Sequence, residues 1–141
     1  MSYTYAACKK CHAVNRIMID KARSAVCGKC KAPIEFHGLV SEVTSSEFQK
    51  ILRSSDKPVI VDFWASWCGP CQMYGPEFEK ASTENTEAVF LKVNTETESA
   101  LSGQLGIRGI PCTIIFKDGK EIKRQAGAMD SRGVNSFLST I

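Results

Sequence analysis

The sequence predicts an α/β fold, a central mixed sheet covered by helices, preceded by a small cysteine-rich module. Three observations carry this expectation. Cysteines come in three C-x2-C pairs, "CKKC" at 8–11, "CGKC" at 27–30 and "WCGPC" at 67–71. Residues before about Phe36 show no sustained periodicity, only short stretches such as "RIMID" between the first two pairs. From Gly38 onward, β-type runs alternate with helical spacings to the end of the chain.

The elements follow in order. "LVSEV" (39–43) alternates as a half-buried strand, and "TSSEFQKIL" (44–52) then opens with hydroxyl residues, the start of a capped helix. Glu47 stands three residues after Thr44 as a capping-box signal, and Phe48, Ile51 and Leu52 share one helical face. "PVIVDFW" (58–64) is β-branched and nearly continuous, as expected of a central strand buried on both faces. A helix should follow Pro70, with Met73, Tyr74, Phe78 and Ala81 as its apolar positions and Pro76 kinking it. "AVFLKVN" (88–94) reads as a strand and "TESALSGQL" (97–105) as a short helix. "CTIIFKDGKEIKRQAG" (112–127) reads as a hairpin turning at Asp118-Gly119, and "DSRGVNSFLSTI" (130–141) as a closing helix capped by Asp130. The order βαβαβαββα joins early strands in parallel through helices and ends in an antiparallel hairpin. The expected division is a metal-binding module at 1–37 and the α/β domain at 38–141, close-set because the junction is short.

Composition narrows the class. With 43% apolar and 23% charged residues, the chain carries no signature of disorder, collagen or a membrane span. The start "MSYTYAACKKCH" lacks the apolar stretch of a signal peptide, which makes a soluble, cytoplasmic protein the expectation. In that reducing compartment seven cysteines suggest metal binding or redox catalysis over a disulfide framework. Residues 1–38 carry seven Lys or Arg against Asp20 and Glu35, a balance of +5, while residues 39–141 carry eleven against thirteen, a balance of −2. Four thiolates around a divalent ion would lower the front end to about +3, and no aromatic residues interleave with its bases, so nucleic-acid binding is disfavoured.

Cys8, Cys11, Cys27 and Cys30 form C-x2-C-x15-C-x2-C, within the spacing of a tetrahedral zinc site. Two intervening residues let a tight knuckle aim both sulfurs at one ion, and Gly28 relaxes the second turn. With all four positions filled by protein, the ion is expected to be structural, one Zn2+ per chain. "CKKCH" also matches the c-type haem attachment pattern, with His12 as axial ligand, although two pairs and no export signal favour zinc. His12 stands as an alternate ligand that the spacing alone permits.

The third pair has a different setting. Cys68 follows a buried strand and opens a helix, where unpaired N–H groups and the helix dipole favour a thiolate. Gly69 permits the turn and Pro70 presets the first helical residues, holding the sulfurs where a disulfide opens and closes with little movement. That disulfide should be exposed at Cys68 and shielded at Cys71.

"VDFWASWCGPC" followed by "KVN", "GIRGIP", "FKDGK" and "AGA" resembles thioredoxin in order and spacing from about Leu39 to Ile141. The quartet ahead of it resembles the zinc-containing thioredoxin 2 subfamily of bacteria. The resemblance implies a thioredoxin fold with a zinc-ribbon-like module, and a protein-disulfide reductase working in electron transport. Its implied partners are an NADPH-dependent flavoprotein thioredoxin reductase and disulfide-containing client proteins. By the same resemblance Cys68 is the attacking thiolate and Cys71 the resolving thiol. Asp62 exchanges the proton of Cys71, and Lys92 tunes Asp62. Trp67, Gly69, Pro70, Ile110, Pro111 as a cis-proline and Gly127 form the substrate-binding rim, with Trp67 shielding the pair and Ile110 offering main-chain groups to an extended peptide. The chain departs from the pattern at Cys112, where the family usually has threonine after the proline, at Gln72, where many relatives carry a base, and at Ser66, where they often carry an acid or proline. Cys112 reads as a small core residue or as a third thiol beside the pair. Another class of function is also open: a redox sensor or zinc-dependent interaction module in which oxidation releases the metal.

Overall fold

The computed structural model describes residues 2–141. Seven strands and four α-helices follow one another as β1 (Tyr3–Ala7), β2 (Val14–Met18), a 3-10 helix (Ile19–Ser24), β3 (Val40–Glu42), α1 (Ser45–Ser54), β4 (Val59–Trp64), α2 (Gly69–Glu84), β5 (Val89–Asn94), α3 (Ser99–Gln104), β6 (Cys112–Lys117), β7 (Lys120–Ala126) and α4 (Ser131–Ser139). From β3 onward this is the βαβαβαββα order that the sequence predicts. The main sheet runs β3-β5-β4-β6-β7, with β5 parallel to both β3 and β4, and β6 antiparallel to β4 and β7.

β4 occupies the middle of this sheet, and its continuous apolar run is buried on both faces. Val59, Val61 and Phe63 point into a layer with Phe48 and Ile51 of α1 and Leu101 of α3. Ile60 points into the opposite layer with Tyr74, Phe78 and Ala81 of α2 and Val134, Phe137 and Leu138 of α4. The local signals hold at the helix starts. Thr44 caps α1 in a complete capping box with Glu47, and Asp130 Oδ1 accepts the Gly133 N–H at 2.8 Å to cap α4. The final hairpin turns through Asp118 and Gly119, both at positive φ, as a two-residue primed turn requires.

One expectation changes. Met73 is 76% exposed rather than a core position. The buried stripe of α2 runs Cys71, Tyr74, Phe78, Ala81 and Ser82 at three- and four-residue steps, and Met73 falls one residue off it. The N-terminal segment agrees with the expected ribbon-like module even though its sequence has no sustained periodicity: β1 and β2 make an antiparallel hairpin pairing Tyr3 with Met18 through Ala7 with Val14. Five-residue strands of mixed burial are too short to reveal their period.

This hairpin lies against the main sheet rather than apart from it. Tyr5 and Ala7 belong to the same buried cluster as Phe48 and Phe116. Ala7 N–H donates to Ser41 Oγ at 3.2 Å, and Lys57 Nζ donates to the Tyr3 carbonyl at 2.7 Å. Tyr3 also donates its hydroxyl to Asp56, and its ring stacks between Arg16 and Lys57, 3.8 and 4.3 Å from the centroid.

The connection into β3 passes through Gly38 at φ +62°, tight against α2. A Cβ there would stand 2.6 Å from the Glu79 carbonyl oxygen and 2.9 Å from Ser82 Oγ. Gly38→Ala is therefore expected to cost about 2–3 kcal/mol through backbone strain and contact, read as a lower urea midpoint with an unchanged slope.

Candidate active site and metal centre

Cys68 is the N-cap of α2, directly beyond the central strand, and Gly69 and Pro70 form the first helical turn. Cys71 N–H points at Cys68 Sγ at 3.2 Å, one of the helix-terminal donors that stabilise negative charge on that sulfur. The pair is disulfide-bonded with Cα atoms 5.2 Å apart, an ordinary disulfide separation. Both residues are only 4% exposed, so the expected exposure of Cys68 is not seen. Trp64 and Ile110 pack over the pair. Trp67, expected as the shield, is instead 70% exposed and projects outward. Met73 lies one helical turn beyond Gly69 and Pro70, so an apolar surface flanks the turn on its solvent side.

Opposite the pair, the Ile110–Pro111 peptide is cis and the Ile110 carbonyl oxygen stands 3.7 Å from Cys68 Sγ. Gly127 N–H donates to the Pro111 carbonyl at 2.8 Å, and its φ of +93° suits glycine. No atom outside the adjoining chain lies within 4 Å of a Cβ built on Gly69, Gly109 or Gly127, which leaves the rim low. The loop ahead of Cys68 is braced by Ser66 and Gln72. Gln72 Nε2 donates to the Ser66 carbonyl at 3.1 Å, and Ser66 donates through N–H and Oγ to Glu96 at 3.2 and 2.9 Å.

Beneath α2, Asp62 is 1% exposed and its Oδ1 has no hydrogen-bond partner. Burial pushes its carboxyl from the ordinary 3.8 up to about 7, with Lys92 opposing the shift and Glu42 adding to it. Lys92 pairs in register with Asp62, and its ammonium lies over the Trp64 ring, 4.3 Å from the centroid. Trp64 and Glu42 were not singled out from the sequence. Residues 60, 62 and 64 share one face of β4, and this alternation is the signal that could have found Trp64. Glu42 lies on another strand, and only the pairing register brings it near.

Cys112 is buried in the α1 and α3 layer with Phe63 and Leu101, on the face of the sheet opposite Asp62 and α2. It is a core residue, and the reading as a third thiol beside the pair is corrected: it pairs in register with Phe63, whose side chain turns away from α2.

The other four cysteines converge. The sulfurs of Cys8, Cys11, Cys27 and Cys30 all lie within 4.8 Å of one another. Cys8 to Cys30 and Cys11 to Cys27, each a contact across the two pairs, stand 3.6 Å apart. A tetrahedron with metal–sulfur distances of about 2.3 Å has edges of about 3.8 Å, so this donor set fits a zinc-sized thiophilic ion. The two knuckles also repeat each other. Cys8 N–H bonds to Ala13 O and His12 N–H to Cys8 O, as Cys27 N–H bonds to Ala32 O and Lys31 N–H to Cys27 O. His12 and Lys31 take matching φ values of 65° and 67°. His12 is not a ligand: its Nδ1 is 2.9 Å from Glu47 Oε2 at the start of α1.

A redox-active pair at a helix N-terminus, set against a cis-proline loop on a mixed sheet, defines a protein-disulfide reductase of the dithiol type. The Thioredoxin family profile matches residues 39–140, and the chain belongs to the thioredoxin family. Among curated relatives it is 33% identical over 135 residues to thioredoxin C-3 of Corynebacterium nephridii, covering 93% of this chain and 90% of that one. That alignment is too long to be contained in residues 39–141. Thioredoxin 2 of Chlorobaculum tepidum is 42% identical over 93 residues, covering 65% of this chain and 85% of the relative. Among solved structures, spinach chloroplast thioredoxin f aligns with a TM-score of 0.67 at 33% identity, over 72% of this chain and 86% of the other. The thioredoxin of Malassezia sympodialis gives 0.65 at 35% identity, over 72% and 91%.

The buried acid fixes a pH dependence. A carboxyl raised from 3.8 to about 7 on folding leaves stability untouched below about pH 4, erodes it as pH rises, and exerts its full cost above pH 7. Asp62→Asn removes that cost. In urea unfolding of the oxidised protein, the variant should gain on wild type progressively between pH 4 and 8, by on the order of 2–4 kcal/mol at the upper end.

Proposed function

We propose that this protein reduces disulfides of client proteins in the cytoplasm through the Cys68/Cys71 dithiol and is itself reduced by an NADPH-dependent thioredoxin reductase. The observation that carries this reading is the pair at the α2 N-terminus facing the cis Ile110–Pro111 peptide, with Asp62 buried on the sheet face that α2 covers. An extended client segment pairs with the main chain of Ile110, while Trp67, Gly69, Pro70 and Gly127 supply an open rim. Binding through backbone groups favours breadth of clients over a single partner.

The reaction is two exchanges. The Cys68 thiolate, stabilised at the α2 N-terminus, attacks one sulfur of the client disulfide. A Cys68–client bond forms, the client's S–S bond breaks, and the departing thiolate takes a proton. Asp62 then accepts the proton of Cys71, whose sulfur attacks Cys68 Sγ and releases the second client thiol. Two electrons pass to the client, and the Cys68–Cys71 disulfide remains. An acid with a pKa of about 7 is ionised in part at neutral pH and so can take that proton and later return it. Lys92 limits how far burial raises it.

Residues 1–37 form a zinc module and residues 38–141 the thioredoxin domain, the arrangement of the zinc-containing thioredoxin 2 subfamily. Cys8, Cys11, Cys27 and Cys30 hold one Zn2+, which supplies a structural cross-link and no open coordination position. The matched knuckles and the sulfur spacing support this, as does the alignment with thioredoxin C-3 beyond the thioredoxin domain.

Insulin reduction coupled to NADPH oxidation tests the catalytic reading. Cys68→Ser should lower the rate at least ~1,000-fold, as expected for loss of a covalent nucleophile, while Cys71→Ser should accumulate mixed disulfides at Cys68. Wild-type turnover in Cys68→Ser would overturn it. Pulsed alkylation of the reduced protein with mass-spectrometric mapping tests the metal. Cys68 should react first, and the four knuckle cysteines should stay protected until a chelator releases one equivalent of zinc; equal labelling without chelator would remove the metal assignment.

A further inference from the structure

The pairing register aligns Glu42 on β3, Lys92 on β5, Asp62 on β4 and Thr113 on β6 in one row across the sheet. Residues at one level of a sheet point to one face, and this row shares the face of Ile60, under α2. Neighbouring strands are about 4.8 Å apart, so Glu42 and Asp62 flank Lys92 at similar spacing. The residues also interlock. Glu42 Oε2 accepts the Trp64 Nε1–H at 3.0 Å, the Lys92 ammonium lies over the Trp64 ring, and Trp64 packs against the cysteine pair.

We propose that Glu42 is a positioning residue of the dithiol reaction: its carboxylate anchors the Trp64 indole and competes with Asp62 for the Lys92 ammonium. The proposal rests on the reading of Asp62 as the proton partner of Cys71. With no other acid beside it, Lys92 would oppose the effect of burial unchecked, and Asp62 would hold its proton less firmly. A second carboxylate on the far side of the ammonium draws the cation away and adds a like charge. The groups on the face of Asp62 are Lys92 from β5, Glu42 from β3, Thr113 from β6 and Tyr74 from α2; Tyr74 hydroxyl is engaged with Thr113 Oγ1 at 2.8 Å. Cys112 adjoins on β6 but faces the opposite layer. Of these, Lys92 and Glu42 act on the Asp62 carboxyl with opposite sign, the lysine lowering it and the glutamate raising it. On its outer side Glu42 meets one further charge, Lys9 Nζ at 3.9 Å from Oε1.

The test is the pH profile of single-turnover oxidation of the reduced protein by a peptide disulfide, followed by tryptophan fluorescence. Glu42→Gln keeps an oxygen for Trp64 and removes the charge, so the inflection should move down by about half a pH unit, a size appropriate to a partly solvated carboxylate. Lys9→Met leaves Glu42 less neutralised and should move the inflection up by a smaller amount. It alters an exposed residue, so it decides the question even where Glu42→Gln does not fold. In an Asp62→Asn background the inflection should be gone, and neither change should have any effect. An unmoved inflection in the folded variants, or a shift that persists with Asn at 62, overturns the proposal. If Asp62→Asn itself leaves the profile intact, the proton-transfer reading falls, and this proposal with it.

Discussion

Everything in this molecule is arranged around a strand buried on both faces that nevertheless carries a carboxyl group. An isolated buried carboxylate is costly, and a group so placed relieves the cost by holding its proton. Asp62 gains no compensating bond at Oδ1. The apolar residues to either side of it in β4 must offset that burden, and the layers on α1 and α2 are assembled on them. The same strand ends at the turn that bears Cys68. The central strand therefore carries the acid and leads, through one short braced turn, to the helix start that holds the sulfur.

Much of this is legible in the sequence because it is local. The capping box at Thr44 and Glu47, the Asp118-Gly119 turn and the run "PVIVDFW" each express their structure within a few residues, and each appears where expected. The local geometry of the cysteines is legible for the same reason, since C-x2-C spacing encodes a knuckle and "WCGPC" a helix start. Features that depend on distant segments meeting are not legible. Exposure at Cys68 is set by Ile110, forty-two residues away, and by the side of β4 to which Trp64 turns. Glu42 gains its neighbours only through the β3–β5 register. Met73 shows the limit of helical spacing itself: one residue's offset from the apolar stripe separates core from surface.

The N-terminal module had no periodicity to read, and its structure explains why. Its strands are short, and its order comes from two reverse turns and from packing against another part of the chain. Tyr5 and Ala7 complete a core whose other members lie in the main sheet and its helices. A segment that borrows its hydrophobic layer in this way needs no amphipathic pattern of its own.

The matched knuckles have a consequence for thermodynamics. Each presents two sulfurs, and the short approaches run from Cys8 to Cys30 and from Cys11 to Cys27, so any ion held there ties together chain positions far apart in sequence. Such a tie exists only when both turns are formed, and an ion that binds the formed pair over the open chain makes ordering and loading a single equilibrium. By mass action, the population of ordered module then follows the free concentration of that ion. Through the core shared with Tyr5 and Ala7, such loading would make part of the stability of the whole chain a reading of metal supply.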